Sequence, residues 1–137
     1  KFMFIILAIL LLCANDLYIK TLGYYMGFKI DLPLYIAIPF TVFAMAGFTN
    51  ALNLTDGLDG LAGMISMVMM GAFLWIGYVH HDDLMIMLSS VFIAAVAAFL
   101  IFNWHPARVF MGDSGSLTLG FVISILAIRA MEFIEPT

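Results

Sequence analysis

Charge is the scarcest thing in this chain. Five Lys and Arg with nine Asp and Glu make up 10% of its 137 residues, where a soluble globular domain carries about a quarter. The formal net charge of −4 leaves no basic patch, which excludes nucleic acid as a partner. Cysteine is almost absent as well. Cys13 stands alone inside an apolar run, so it supports no disulfide framework or thiolate metal site and is expected to be a packed small hydrophobe. No small-residue cleavage pattern follows Leu12, which argues against a removable signal peptide; the abrupt apolar start after Lys1 is what a piece of a longer protein would show.

Apolar residues fill the space that charge leaves. They reach 65% of the sequence, with a mean hydropathy of +1.14. A water-soluble fold of this size cannot hide that much apolar surface, so the chain is expected to be an all-α integral membrane protein. Phe2 to Ala14 is the remainder of a first span, short of the ~20 residues a crossing needs. YIKTLGYY and GFKID, on either side of Met26 and Gly27, are β-leaning pieces that predict a small hairpin at the interface, with tyrosines in the aromatic belt.

Pro33 to Leu52 makes a second span, in which Pro39 either kinks the helix or marks its true start. Leu58 to Val79 is the third. Its methionines, among them Met64, Met67, Met69 and Met70, are read as adaptable packing, not as a cofactor box. His80 to Asp83 has the residue types of a zinc site, but adjacent side chains on a tight loop seldom converge on one ion, and a solvated turn explains them as well. Leu84 to Trp104 and Leu117 to Ile134 complete about five spans. Arg129 and Glu132, near the end of the last, form a helical pair or reach back to the interface.

Two polar islands interrupt these spans. In Asn50 to Gly63, NALNLTDGLDGLAG, the residues Asn50, Asn53, Asp56 and Asp59 recur every third position, which gathers them on one side of a helical turn. Carboxylates this close call for a cation, donors or water; a turn that caps the next helix with Asp56 or Asp59 is the simpler alternative. The second island is Asn103 to Ser116, NWHPARVFMGDSGS, where Ser114 or Ser116 is placed to cap the last span. Because each span reverses direction, both islands should lie at one membrane face. That face would carry Asp56, Asp59, Asp113, Asn50, Asn53, Asn103, His105 and Arg108. Oxygen donors in excess suit Mg²⁺ or Mn²⁺, Arg108 offers a fork for phosphate oxygens, and glycines allow close backbone approach. Metal-assisted phosphoryl transfer at the membrane surface fits; a cation pathway is the rival, and the absence of charge at mid-depth counts against it.

NALNLTDGLDGLAG and FNWHPARVFMGDSGSLTLG closely resemble the two signature segments of the polyprenyl-phosphate N-acetylhexosamine-1-phosphate transferases. The resemblance covers nearly the whole chain, hairpin included. It implies transfer of a sugar 1-phosphate from a UDP-sugar to undecaprenyl phosphate with release of UMP, initiating cell-envelope polysaccharide synthesis. HPARVFMGD is more similar to the N-acetylglucosamine 1-phosphate branch, whose products feed O-antigen, enterobacterial common antigen or teichoic acid linkage. The phospho-N-acetylmuramoyl-pentapeptide transferases are the alternative, and a non-catalytic channel or assembly subunit is the reading from another class.

Residue by residue, the resemblance implies that Asp113 ligates Mg²⁺ with Asn53 as a second contact. Asp59 would hydrogen-bond the uracil and Phe110 stack on it. Asp56 would lie by the nucleotide diphosphate, making Asp56 and Asp113 the catalytic pair; Asn50, His105 and Arg108 would complete the substrate site. It also implies a multi-pass protein of the bacterial inner membrane with a cytosolic active face, an orientation the Lys and Arg distribution leaves open. A homodimer is a further expectation. Family members have about ten spans, an Asp-Asp pair before the stretch seen here and a histidine-bearing loop after it, so residues 1–137 are expected to be a central fragment of one transferase domain, inactive alone.

Overall fold

A computed structural model describes residues 2–25 and 28–134. It contains α1 (Phe2–Cys13), β1 (Thr21–Tyr25), β2 (Phe28–Asp31), α2 (Leu34–Thr55), α3 (Leu61–His80), α4 (Asp83–Asn103) and α5 (Gly112–Ile134). The last four are long and apolar enough to cross a bilayer, and at 20 to 23 residues each would span ~30–35 Å. The first, with 12 residues, falls short of a crossing, as its length in the sequence foretold. The chain is thus a multi-pass, all-α membrane protein with one small sheet.

That sheet is the expected hairpin. Its strands are antiparallel, with Thr21 opposite Asp31, Tyr24 opposite Lys29 and Tyr25 opposite Phe28. The register shifts between Thr21 and Tyr24, where Gly23 takes a φ of +94° that other residues rarely adopt. The connection at Met26 and Gly27 lies outside the described residues. Thr41 ties the segment before the hairpin to α2: its hydroxyl accepts from Ile19 N at 2.9 Å and donates to Ala37 O at 2.7 Å.

The helix boundaries correct the sequence reading in several places. α2 starts at Leu34 and runs through Pro39, so this proline does not open the helix. It also continues to Thr55, which puts Asn50 and Asn53 on a helix and makes Asp56 its C-cap. Neither Asp56 nor Asp59 caps α3; Gly60 occupies that position in the left-handed conformation, with no side-chain bond. α5 begins at Gly112, five residues before the apolar run, so Ser114 and Ser116 lie inside the helix and not at its cap. The link between α3 and α4 is only partly a solvated turn. His80, His81 and Asp83 are exposed, but Asp82 is 7% exposed and its Oδ1 caps α4 by accepting from Met85 N at 2.9 Å. Arg129 turns to Asp82 Oδ2, not along its own helix to Glu132.

α5 is the central element. Its span is 44% buried, against 22–28% for the others, and it contributes to both apolar clusters. One joins it to the α3–α4 hairpin around Leu100, Met70, Met85 and Leu126; the other joins it to α1 and α2 around Ile9, Met45 and Ile128. Association inside lipid depends on close packing, because lipid tails are as apolar as the side chains. Gly120 supplies that closeness: a Cβ there would stand 2.8 Å from Thr49 Cα and 3.2 Å from Thr49 O. Both are backbone atoms that cannot swing aside. Gly120→Ala is therefore expected to destabilise the fold by about 1–3 kcal/mol, whereas Gly71→Ala, with nothing within 4 Å of the new methyl, should be neutral or stabilising. Thermal unfolding of the two variants in detergent checks this, and equal stabilities would contradict it.

Candidate active site

The two islands meet. The end of α2, the turn at 56–60 that leads into α3, the loop at 104–111 and the first turn of α5 share one surface, as the reversal of direction at each span required. Four sets of hydrogen bonds join them. At one edge Asn53 Nδ2 donates to Asp113 Oδ1 at 3.1 Å and to Ser116 Oγ at 2.7 Å, while the Ser116 hydroxyl donates to Gly112 O at 2.9 Å. Next to it, Asp56 Oδ2 accepts from Gly112 N at 3.1 Å. That N–H is one of the donors a helix N-terminus leaves unsatisfied, so the carboxylate sits where the helix dipole favours it.

At the other edge Asp59 Oδ2 receives Ala107 N at 3.1 Å and faces His105 Nδ1 at 3.0 Å. Beneath, the 3%-exposed Asn103 uses both ends of its amide. Its Oδ1 accepts from Gly60 N at 2.9 Å and its Nδ2 donates to Val109 O at 2.8 Å. Asn103 thereby staples the entry of α3 to the residue preceding Phe110. Trp104 lies over Gly60, with ring carbon Cε3 placed 3.7 Å from where a Cβ would be.

The residues singled out in the sequence divide into two groups. Asn53, Asp56, Asp59, Asn103, His105 and Asp113 are joined through these bonds. Arg108 contributes its main chain, N to Phe102 O at 2.8 Å, and exposes its side chain. Phe110 stands 70% exposed above a groove of about 480 Å³ between α4 and α5. Asn50 is not among the joined residues. It lies one turn down α2, half-buried at the end of an open apolar groove of about 590 Å³ lined by Leu10, Pro39, Phe43 and Gly47. Ser116 and Gly112, which complete the contacts of Asn53 and Asp56, were not singled out as site residues; their place in the GDSGS segment beside Asp113 was the available signal.

Oxygen donors dominate the surface. Asn53 spends its Nδ2 on Asp113 and Ser116, which leaves its Oδ1 suited to a hard cation beside the Asp113 carboxylate. Among the described residues no three His, Cys, Asp or Glu side chains gather to form a metal cage by themselves. The set therefore fits a cation held by one or two side chains and completed by ligand oxygens, the usual manner of Mg²⁺.

The two neighbouring carboxyls titrate in opposite senses. Burial raises Asp56 above its ordinary value, and the Gly112 N–H offsets this only in part. The Ala107 N–H, followed by the His105 ring, holds Asp59 below its ordinary value. The fold therefore favours protonated Asp56, a contribution present at low pH and lost as pH rises through the raised value. The contribution of Asp59 is present above the ordinary carboxylate value and lost as pH falls through the depressed one. In a Trp75→Phe background, Trp104 fluorescence is expected to report the loop. It should stay constant from neutral pH through the ordinary carboxylate range and change below it. Asp59→Asn should remove that step, and Asp59→Ala should show the released loop at every pH. A wild-type signal in Asp59→Ala would contradict the clamp.

Comparison with known proteins bears on the whole arrangement. Residues 1–131 match the family described as Glycosyl transferase family 4. A Bacillus subtilis (strain 168) protein named "Probable undecaprenyl-phosphate N-acetylglucosaminyl 1-phosphate transferase" is 46% identical over 97 residues, 71% of this chain and 27% of that protein. A Phospho-N-acetylmuramoyl-pentapeptide-transferase of Halalkalibacterium halodurans is 43% identical over 95 residues, 69% of this chain and 29% of its own length. Another of that name, from Wolbachia sp. subsp. Drosophila simulans (strain wRi), is 42% identical over 130 residues, 91% of this chain and 39% of its length. The chain thus spans between about a quarter and two-fifths of these curated relatives.

Proposed function

The chain belongs to glycosyl transferase family 4, and we propose that the intact protein moves N-acetylglucosamine 1-phosphate from its UDP-sugar onto undecaprenyl phosphate at the cytosolic face of a bacterial plasma membrane, releasing UMP. One observation carries the reading: Asp113 and Asn53, 60 residues and two bilayer crossings apart, lie in hydrogen-bond contact beside Asp56. An oxygen-rich surface at the end of membrane helices is where a water-soluble nucleotide and a lipid phosphate can meet.

In this reaction an oxygen of the lipid phosphate bonds to the sugar-bearing phosphorus as that phosphorus releases the UMP oxygen. Mg²⁺, or Mn²⁺ in its place, would be held by Asp113 and Asn53 and would offset the negative charge of the diphosphate and the incoming phosphate. The protein's own residues do the positioning. Asp59 spends Oδ2 on the loop and keeps Oδ1 for the uracil edge, while the exposed Phe110 ring offers a stacking face. Asp56, tied to the N-terminus of α5, orients the helix end toward the diphosphate, and Arg108 and His105 border it from the loop. The groove that ends at Asn50 suits the isoprenoid tail, its one amide lying toward the polar face.

A second reading has its own support, since relatives named Phospho-N-acetylmuramoyl-pentapeptide-transferase match at nearly the same identity. There the donor sugar carries a peptide, and the same residues act on the same diphosphate. UMP release by the intact protein with undecaprenyl phosphate separates the two: UDP-N-acetylglucosamine is expected as donor, and exclusive use of UDP-N-acetylmuramoyl-pentapeptide would favour the second reading. In either case Asp113→Asn should lower turnover by on the order of a hundredfold or more. Unchanged turnover would remove Asp113 from the reacting centre.

A further inference from the structure

The site end of α5 is tethered by Asn53 and Asp56. Its opposite end holds a second polar tether, a whole span away from Asp113. Arg129 Nε donates to Asp82 Oδ2 at 2.5 Å, and the Asp82 side chain is 4% exposed. The same carboxylate caps α4 through Met85 N, so one side chain joins the start of α4 to the end of α5. His80, on the last turn of α3, stacks on Phe133 with ring centroids 4.6 Å apart and planes 11° from parallel. Burial opposes ionisation of Asp82, but the Met85 N–H and the Arg129 guanidinium outweigh it and hold the carboxyl below its ordinary value.

Between its two ends, among the described residues, α5 is held by packing, against α2 at Gly120 and against the apolar cluster of the α3–α4 hairpin. Packing of this kind carries little hydrophobic penalty for a small slide in lipid, because the displaced side chains meet tails of the same polarity. Polar tethers resist it. A slip of one residue moves a helix ~1.5 Å along its axis and turns it ~100°, enough to break the 3.1 Å contact of Asn53 with Asp113. Asp113 and Ser116 are also the groups a cation or nucleotide would draw away from Asn53. The Asp82–Arg129 pair lies at the opposite end of α5 and does not depend on those contacts.

We propose that Asp82 and Arg129 are positioning residues that fix the axial register of α5 against the α3–α4 hairpin, and through the rigid helix fix Asp113 ~24 Å away against Asn53. Its activity arm rests on the function proposed above; its distance arm does not. Asp82→Asn keeps a side chain able to cap α4 and removes the charge, so it isolates the pair from the cap. Spin labels on Leu54→Cys and Thr118→Cys, both exposed at the site end, read the α2–α5 register in the intact protein freed of other cysteines.

Arg129→Met and Asp82→Asn are each expected to shift the label distance by up to about 4 Å, the separation of consecutive Cα atoms, or to broaden it comparably. The double variant should go no further than either alone, and Arg129→Lys should keep the wild-type distance. UMP release should fall on the order of tenfold or more in kcat in the two single variants, with the nucleotide-sugar KM within about twofold, as misplacement of a reacting group predicts. Unchanged distances with only lowered thermal stability, additive effects in the double variant, or Arg129→Lys as damaging as Arg129→Met would each overturn the proposal. If the wild-type protein releases no UMP, the function reading fails and the distances still decide this one. If Arg129→Met does not accumulate in membranes, Asp82→Asn decides it.

Discussion

The structure turns on the amide of Asn53. Its Nδ2 donates to Asp113 and Ser116 at once, across a gap of two bilayer crossings in the chain. A hydrogen bond to a charged group contributes only ~1.5–3 kcal/mol net, too little to hold four long helices together. It decides which arrangement of them is kept. Apolar helices in lipid have many nearly equivalent ways to pack; a polar group withheld from water, such as Ser116 in contact with Asn53, discriminates among those ways, because the alternatives leave it unsatisfied. Asn103, bonded to Gly60 and Val109, acts in the same sense one layer deeper. The α3–α4 hairpin exists, in this view, to return the chain to the face it left.

That return was legible in the sequence, because span length and the reversal of direction at each crossing are set by bilayer thickness, which every apolar segment must obey. The three-residue spacing of Asn50, Asn53, Asp56 and Asp59 was less informative than it looked. It assumes one continuous helical turn, whereas α2 ends at Thr55 and the chain changes conformation at Asp56 and again at Gly60. Asn53 thus points to α5, Asp56 takes the first N–H of that helix, Asp59 takes the loop, and Asn50 is left beside an apolar groove. Charged groups distant in sequence were the hardest to pair. Arg129 has Glu132 within one helical turn and Asp82 47 residues away, and the buried partner prevails because it also offers a fixed helix cap.

Electrostatics give the face its character. α3 and α5 both begin there, so two sets of unsatisfied N–H groups and the positive ends of two helix dipoles open on one surface. Asp56 consumes the first of those N–H groups on α5 and Asp113 sits in its first turn. The surface is therefore negative in its side chains and positive in its backbone. A bare anion would meet carboxylates; an anion that arrives with a cation finds both halves of the complex matched. This arrangement would suit the proposed nucleotide diphosphate carried with its metal, and among the described residues no side chains close a metal cage unaided.

The division between helix and loop bears on the choice of donor. Asp113, Asn53 and Asp56 are held on helices or at their caps, while His105, Arg108 and Phe110 stand exposed on the loop at 104–111, clamped by Asp59. Groups that meet what all donors have in common need fixed geometry, and helix ends supply it. Relatives bearing two different names resemble this chain almost equally, as they would if it handles the nucleotide and diphosphate, whatever sugar is attached. On the proposed chemistry the hexosamine projects from the far phosphate, beyond the reach of Asp59 and Phe110 at the uracil end. On that reading the selection between a bare acetamido sugar and one bearing a peptide would be made by residues that face the far phosphate, whereas Asp59 and Phe110 would serve the nucleotide common to both.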